Sequence, residues 1–294
     1  MEQTPVYDIC TLSDNGGHDI LISRFAPYLE RHRNLAAAHR HSFYHLVLFT
    51  EGAGTHSIDF QEFSVRPGQI YFMIPGQVHS WSFEGFTDGY IINFSVDFFQ
   101  PFLLNPEYAR SFYFFRGDAK NSVVDLSVNL HQKITDLFEA IISETGSLNA
   151  TGMDMIRLLM LQLFILVNRL NENDISNGPA SYNQTVVRNF QKLIGENYTR
   201  LKLPKDYAAM LYITPNHLNS VCKDILRMPA GDVIRNRLVL EAKRLLTNPL
   251  LNINEIAFTL NFNDNSYFTK FFKKAEGKTP EEFRKLLINT NRHE

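Results

Sequence analysis

Cysteine is scarce in this chain, with only Cys10 and Cys222 among 294 residues. Two thiols so far apart match no metal or redox spacing, which argues against a disulfide framework and fits a reducing compartment. A long hydrophobic run is missing as well. The most apolar stretch, Ile156 to Val167, contains Arg157 and Gln162 and falls short of the roughly 20 residues that cross a bilayer. The opening residues MEQTPVYDICTLSDNGG have no basic region followed by an apolar one, so no signal peptide is expected. These absences predict a cytoplasmic protein with no membrane partner.

Net charge is close to zero overall, at −2, but it is unevenly spread. Residues 1–182 hold 11 Lys and Arg against 20 Asp and Glu, a net −9, while residues 183–294 hold 18 against 11, a net +7. A basic part joined to an acidic one suggests a polyanion-binding module attached to something else, although a solvated face reads the same way. With 44 % hydrophobic and 20 % charged residues the chain can bury real cores, and its length suits two domains.

From about Leu35 to Phe94 the pattern is that of strands. Leu46–Phe49 and Ile70–Ile74 are short apolar runs rich in β-branched and aromatic residues, separated by the turn signals Glu51-Gly52-Ala53-Gly54, Arg66-Pro67-Gly68 and Pro75-Gly76. Such spacing suggests a sandwich or barrel. Beyond Val123 the period becomes helical, with Leu126, Leu130, Ile134, Leu137 and Ile141 on one stripe. A helix over Val123–Ser143 and another over Asp154–Leu170 are expected. The second is apolar on more than one face, which predicts a dimer seam. The polar, Gly- and Pro-containing residues 172–184 read as a linker. The expected organisation is thus a strand-rich domain over 1–121, a helical dimerisation segment over 122–171, a linker over 172–184 and a helical domain over 185–294.

The last part of the chain repeats itself. Ala208-x2-Leu211-x-Ile213-x4-Leu218-x2-Val221-Cys222-Lys223 matches Ala257-x2-Leu260-x-Phe262-x5-Phe268-x2-Phe271-Phe272-Lys273, with one extra residue in the second turn. This is the spacing of a helix-turn-helix. A small residue sits where two short helices cross, apolar residues close the core, and the second helix keeps one face free. Thr214-Pro215 marks a helix start, and Thr279-Pro280-Glu281-Glu282 supplies a capping box. The free faces carry Thr214, Asn216, His217, Asn219, Ser220 and Lys223 in the first copy, and Asn265, Ser266, Tyr267, Thr269, Lys270 and Lys273 in the second. Asn can pair with adenine, and Lys can reach guanine or phosphate, so these twelve are the candidate DNA contacts. Between the copies, Asp232–Thr247 reads as one helix of roughly 24 Å, compatible with recognition helices entering successive major grooves.

The stretches LPKDYAAMLYITPNHLNSVCKD (Leu203–Asp224) and LEAKRLLTNPLLNINEIAFTLNFNDNSYFTKFFKKAEGKTPEEFRK (Leu240–Lys285) resemble the AraC/XylS family of transcription regulators. That resemblance implies a seven-helix domain with two helix-turn-helix units facing DNA on one side. Tyr212, Asn261 and Arg227 stand where the family often has Gly. Upstream, His39-Arg40-His41-x3-His45-x6-Gly52 and Gly68-x7-Gly76-x2-His79 resemble the two cupin motifs. The implied fold is α+β and multidomain: a cupin-like β-barrel with a helical dimerisation segment, then an all-α domain.

The resemblance further implies an organic effector inside the barrel, with Arg40, His41, Tyr44, His45, His56, Tyr71, His79, Trp81 and Tyr90 as candidate wall residues. An aromatic structural core would use the same residues. Cupin metal ligands carried onto this chain fall on His39, His41, His45 (where Glu is usual) and His79. The expected function is a homodimeric transcriptional activator, not an enzyme, which binds promoter DNA and a small effector, contacts RNA polymerase and holds no cofactor. One alternative makes the cupin half a metal-dependent enzyme or metal sensor loaded with a divalent transition metal. Another leaves it only a dimerisation role. The absent motif Glu, and the lack of a paired acid/base constellation, count against an enzyme.

Overall fold

Two long strands organise the first part of the molecule. The computed structural model describes residues 5–12, 19–105, 107–147, 149–174 and 182–290. The chain divides into one unit over residues 5–177 and another from 178 onward. In the first, eight described strands form a sheet: β1 (Val6–Tyr7), β2 (Ile20–Arg24), β3 (His39–His41), β4 (Tyr44–Ile58), β5 (Gln61–Val65), β6 (Gln69–Met73), β7 (Val78–Phe94) and β8 (Val123–Asp125). β4 and β7 pair antiparallel from Tyr44 opposite Phe94 to Ile58 opposite His79, with irregularities around Glu51. β2 and β6 flank one end of this pair, β3 and β5 the other. Gly89 and Gly54 permit the close approach, since a Cβ on Gly89 would lie 1.9 Å from Leu48 O and one on Gly54 2.2 Å from Ser82 O. Bulge and glycines let the pair curve. As a result His45 and His56, eleven positions apart on one strand, each bring their ring centroid within 5.3 Å of that of His79.

Period-two alternation then sorts the side chains into two cores. Leu46, Leu48, Ile70, Phe72, Ile92 and Phe94 face one side, and Val47, Phe49, Tyr71, Met73, Ile91 and Trp81 face the other. Short helices α1 (Ile9–Leu12) and α2 (Phe25–Arg31) contribute Ile9, Leu12, Phe25 and Tyr28 to the second core. The first core receives Ala109 from α3 (Glu107–Arg110) and the apolar stripes of α4 (Val128–Glu144) and α5 (Ala150–Asp174). At its centre, Phe164 lies within about 6 Å of the rings of Phe99, Phe112, Phe114 and Phe115.

Four expectations need correction. Val123–Asp125 is strand β8, paired with Gln69–Tyr71, because its β-branched pair completes the sheet edge; the helix starts only at Val128, capped by the Ser127 hydroxyl. Helices α4 and α5 are no separate segment, since their stripes close the same core as the strands. On α5, Ile156, Met160, Leu163, Phe164 and Val167 are fully buried in this core, while Met155 and Leu158 stay about half exposed. That helix is longer than its apolar run suggested; Ala150–Leu170 is long and apolar enough to cross a membrane by length and composition. Finally, the linker expected at 172–184 is helical at both ends, for α5 reaches Asp174 and α6 begins at Tyr182, while residues 175–181 lie outside the described residues.

The second unit contains α6 (Tyr182–Asn197), α7 (Pro204–Met210), α8 (Pro215–Leu226), α9 (Ala230–Leu246), α10 (Ile253–Thr259), α11 (Asn265–Glu276) and α12 (Pro280–Thr290). Val186, Val187, Phe190 and Ile194 of α6, spaced as one helical face, join Tyr207, Leu218, Leu238, Ala242, Phe268 and Phe272 in a single core.

Phe164 tests the first core. Phe164→Ala should cost about 3–5 kcal/mol, the usual penalty for emptying an aromatic site in a packed interior. Urea unfolding of the full chain should show the loss; a cost below about 1 kcal/mol would contradict the central placement of this ring.

Candidate nucleic-acid interface and buried histidine cluster

The two sequence repeats fold into the same turn, atom for atom in their backbone bonding. Ile213 N donates to Ala208 O at 3.0 Å and Tyr212 N to Ala209 O at 3.1 Å; in the second copy Phe262 N donates to Ala257 O at 2.9 Å and Asn261 N to Phe258 O at 2.9 Å. These paired six-to-one and five-to-two bonds form a Schellman motif, which needs a left-handed residue at its tip. Tyr212 at φ +56° and Asn261 at φ +54° supply it without glycine. The recognition helices α8 and α11 follow at once, capped by Thr214 Oγ1 accepting from His217 N and by Asp264 Oδ1 accepting from Tyr267 N. Both also end on a left-handed residue, Arg227 at φ +59° and Gly277 at φ +74°. The missing glycines thus leave the geometry intact, at a cost in backbone strain.

Of the twelve candidate DNA contacts, Asn216, Ser220, Lys223, Asn265, Ser266, Tyr267, Lys270 and Lys273 are exposed on the outer faces of α8 and α11. Asn219 is half-buried. Its Oδ1 accepts from Ala230 N at 2.9 Å and clasps the start of α9, so its amide oxygen has a structural task. Thr214 is also spent on its cap. The Thr269 hydroxyl donates to Asn265 Oδ1 at 3.2 Å, and His217 lies against Tyr182. Tyr212, outside those twelve, is 96 % exposed at the tip of the first turn.

In the first unit the candidate wall residues do not line one open pocket. His41, His45, His56, Tyr71, His79 and Trp81 are buried toward the second core. Tyr44 and Tyr90 face the opposite side, because strand alternation sends neighbours apart. Tyr44 stacks on Phe94, and Tyr90 stacks on Phe138 and donates to Glu139 while Arg24 lies over its ring. Arg40, between His39 and His41 on β3, is only half-buried. Beside Tyr44 and Phe94 a crevice of about 10 Å³ has room for roughly one water.

The buried side instead gathers five histidines. His39 Nε2 lies 3.2 Å from His41 Nε2, which lies 2.8 Å from His79 Nε2, and His79 Nδ1 lies 3.1 Å from His56 Nε2. His39 Nδ1 is 2.8 Å from Ala37 O, and His45 Nδ1 is 2.7 Å from Asn93 Oδ1, both as donors. His39, His41 and His79 form a group whose ligating nitrogens lie within 4.8 Å of one another. His45, expected as a fourth member, stands outside it and turns to Asn93, its cross-strand partner. Asn93 was not foreseen, since only the β4–β7 register brings it there. Burial pushes all five imidazoles down, His39 to about 4 and His45 to about 3, with His41, His56 and His79 well below their ordinary value. They are neutral at pH 7. Their interior also strands polar atoms: His41 Nδ1, His45 Nε2, His56 Nδ1 and Trp81 Nε1 find no partner among the described residues.

Comparison with known proteins matches both units. A model for an AraC-like ligand binding domain covers residues 25–161, and one for a helix-turn-helix domain covers residues 207–286. The HTH-type transcriptional activator RhaR of Mannheimia succiniciproducens is 20 % identical over 288 residues, 96 % of this chain and 99 % of that protein. The Msm operon regulatory protein of Streptococcus mutans is 28 % identical over 109 residues, 37 % of this chain and 39 % of that one. Among solved structures, ToxT from Vibrio cholerae aligns over 90 % of this chain and 97 % of its own at 14 % identity, with a TM-score of 0.41.

Two outcomes follow from this geometry. Arg227→Gly should stabilise the second unit by about 0.5–1 kcal/mol, because glycine takes the left-handed tip without the steric penalty; a loss of stability in thermal unfolding would contradict it. The histidines predict acid lability. A folded-state value depressed from 6.5 to about 4 means that the His39 contribution is complete above pH 6.5 and is lost as pH falls toward 4. For His39 that loss is on the order of 3 kcal/mol, and the others add in the same direction. In chelator-treated protein, unfolding free energy should therefore fall steeply across this window, and a flat profile would contradict the neutral cluster.

Proposed function

Because the chain belongs to the AraC/XylS family of transcription regulators, with a ligand-binding unit and a helix-turn-helix unit, we propose that it acts as a homodimeric activator whose effector state sets how the DNA-binding unit engages a promoter. The observation that carries the reading is the duplicated turn, which aims two polar recognition faces outward from the basic part of the chain. DNA recognition is assigned to Asn216, Ser220 and Lys223 on α8 and to Asn265, Ser266, Tyr267, Lys270 and Lys273 on α11. Asparagine and lysine on a helix in the major groove read base edges and phosphates. Tyr212, beside the entry of α8, adds a phosphate contact.

Several finer assignments belong to the same reading. The pairing surface is placed on the outer stripe of α5, where Met155 and Leu158 remain about half exposed. The site of action is the cytoplasm, where RNA polymerase is the further partner. The protein is taken to be no enzyme, since the proteins that it resembles are transcription regulators. Regulation requires the effector to bind two states of the molecule with different affinity. A coupling of about 1–3 kcal/mol changes DNA affinity roughly 5–150-fold, and DNA must change effector affinity by the same factor.

Substitution of the recognition face tests the assignment. Lys270→Ala and Asn265→Ala should each weaken specific promoter binding by about 1–3 kcal/mol, with steep salt dependence in the parent protein. Binding-site selection should reveal relaxed preference at one or two positions. Unchanged affinity and unchanged preference in both variants would remove α11 from the recognition surface.

A further inference from the structure

Lys202 reaches from one half of the helix-turn-helix unit to the other. It stands in the short segment between α6 and α7, where the backbone on either side is held. Leu201 N donates to Asn197 O at 2.8 Å, Tyr207 Oη donates to Leu201 O at 2.8 Å, and Asp206 N donates to Leu203 O at 3.1 Å. Tyr207 is itself fully buried on α7 and meets Phe190 of α6 edge to face at 5.4 Å. A side chain leaving this segment therefore starts from a fixed point in the first copy.

Its far end lies in the second copy, 59 positions along the chain. Lys202 Nζ donates to Asn261 O, the carbonyl of the left-handed residue at the tip of the second turn, and sits 3.7 Å from the centroid of the Phe262 ring. Among the described residues no carboxylate pairs with this half-buried side chain. A carbonyl dipole and a ring face hold a cation only from certain directions, which an exposed ion pair does not require. Phe262 passes the constraint on. It is buried, and its ring centroid lies 5.8 Å from that of Tyr267, 5.2 Å from that of Phe268 and 5.1 Å from that of Phe271, all on α11.

We infer that Lys202 is a positioning residue for DNA recognition, pinning the second turn to the first copy and so setting how α11 stands relative to α8. The inference rests on the reading of α8 and α11 as the recognition helices. Two such helices on one unit meet two short stretches of duplex, and the spacing of those stretches has to match the helices. One extra base pair between them turns the second stretch by roughly 35° about the duplex axis and moves it about 3.4 Å. The unit must then twist to keep both contacts, and the Lys202 pin resists that twist. It can add to the penalty no more than its own interaction is worth. For a partly desolvated cation over a ring that is a factor of about 2–30 in affinity.

The test uses the full-length chain and a randomised duplex library, from which the parent protein selects a two-part site. Duplexes with the gap lengthened or shortened by a single base pair are then titrated beside the selected one. The parent should bind the altered duplexes more weakly, and Lys202→Met should shrink that ratio by a factor of about 2–30. Lys202→Arg, which keeps a cation for the ring and an N–H for the carbonyl, should hold the parent ratio. Circular dichroism checks that each variant is folded, and Lys202→Gln takes the place of Lys202→Met if methionine disturbs the fold. A merely structural loss would lower the thermal midpoint and weaken binding to every duplex by the same factor. An unchanged spacing ratio in the folded neutral variant therefore overturns the inference, as does an equal loss of discrimination in Lys202→Arg. A parent protein that selects no two-part site removes the recognition reading itself, and the pin with it; a parent that selects one keeps that reading, whatever Lys202 does.

Discussion

The pairing of β4 with β7 is the constraint on which the first unit rests. It runs through more than a dozen residue pairs, and the side-chain period of two gives every residue on it a fixed face. A slip of one position would carry Leu46, Leu48, Ile92 and Phe94 out of the aromatic core and bring histidines into it. Gly54 and Gly89 lie inside this pairing because no side chain fits where the strands press together. The curvature that follows makes one strand contribute histidines at two distant points to one interior. The sheet's helix-covered face and its histidine-lined face are therefore two results of one register.

The second unit depends on a different device, a tight turn used twice. Ala208 and Ala257 are buried at the helix crossings, and their carbonyls accept the bond that closes each turn. Small size and carbonyl position act together, since a larger side chain would separate the helices and stretch that bond. Helix α9 joins the copies, and its start is held by Asn219 from the first recognition helix. Orientation of α8 is in this way tied to the helix that leads to the second copy. The left-handed tips at Tyr212 and Arg227 store backbone strain next to the recognition surface, a cost borne by the shared core of the unit.

The two units also differ in how they treat polar groups. In the second, caps at Thr214, Asn252, Asp264 and Thr279 satisfy helix starts, and polar faces point to solvent. In the first, neutral imidazoles and an indole N–H are buried with partners missing, which costs stability unless something completes them. Such unsatisfied interiors are poor devices for stability and good ones for binding, because whatever enters recovers the missing interactions.

Local order in the sequence determined a good deal here. The repeat after Leu203 specified both helix-turn-helix units, since helix spacing, the small crossing residue and the caps are all set within some twenty neighbouring residues. The alternating runs with Gly and Pro turns specified strands, and three- and four-residue steps specified helices α4 and α5. Tertiary structure decided what depends on distant pairing. It placed Tyr44 and Tyr90 on the opposite face from His45, exchanged His45 for a bond to Asn93, and brought His56 to His79. It also turned Val123–Asp125 into an edge strand and covered one apolar face of α5, because a strand needs a partner and an apolar face needs a surface, neither of which is adjacent in sequence. Asn219 shows the same limit on a smaller scale: on the helix it reads as outward-facing and polar, and only the approach of α9 reveals what it holds.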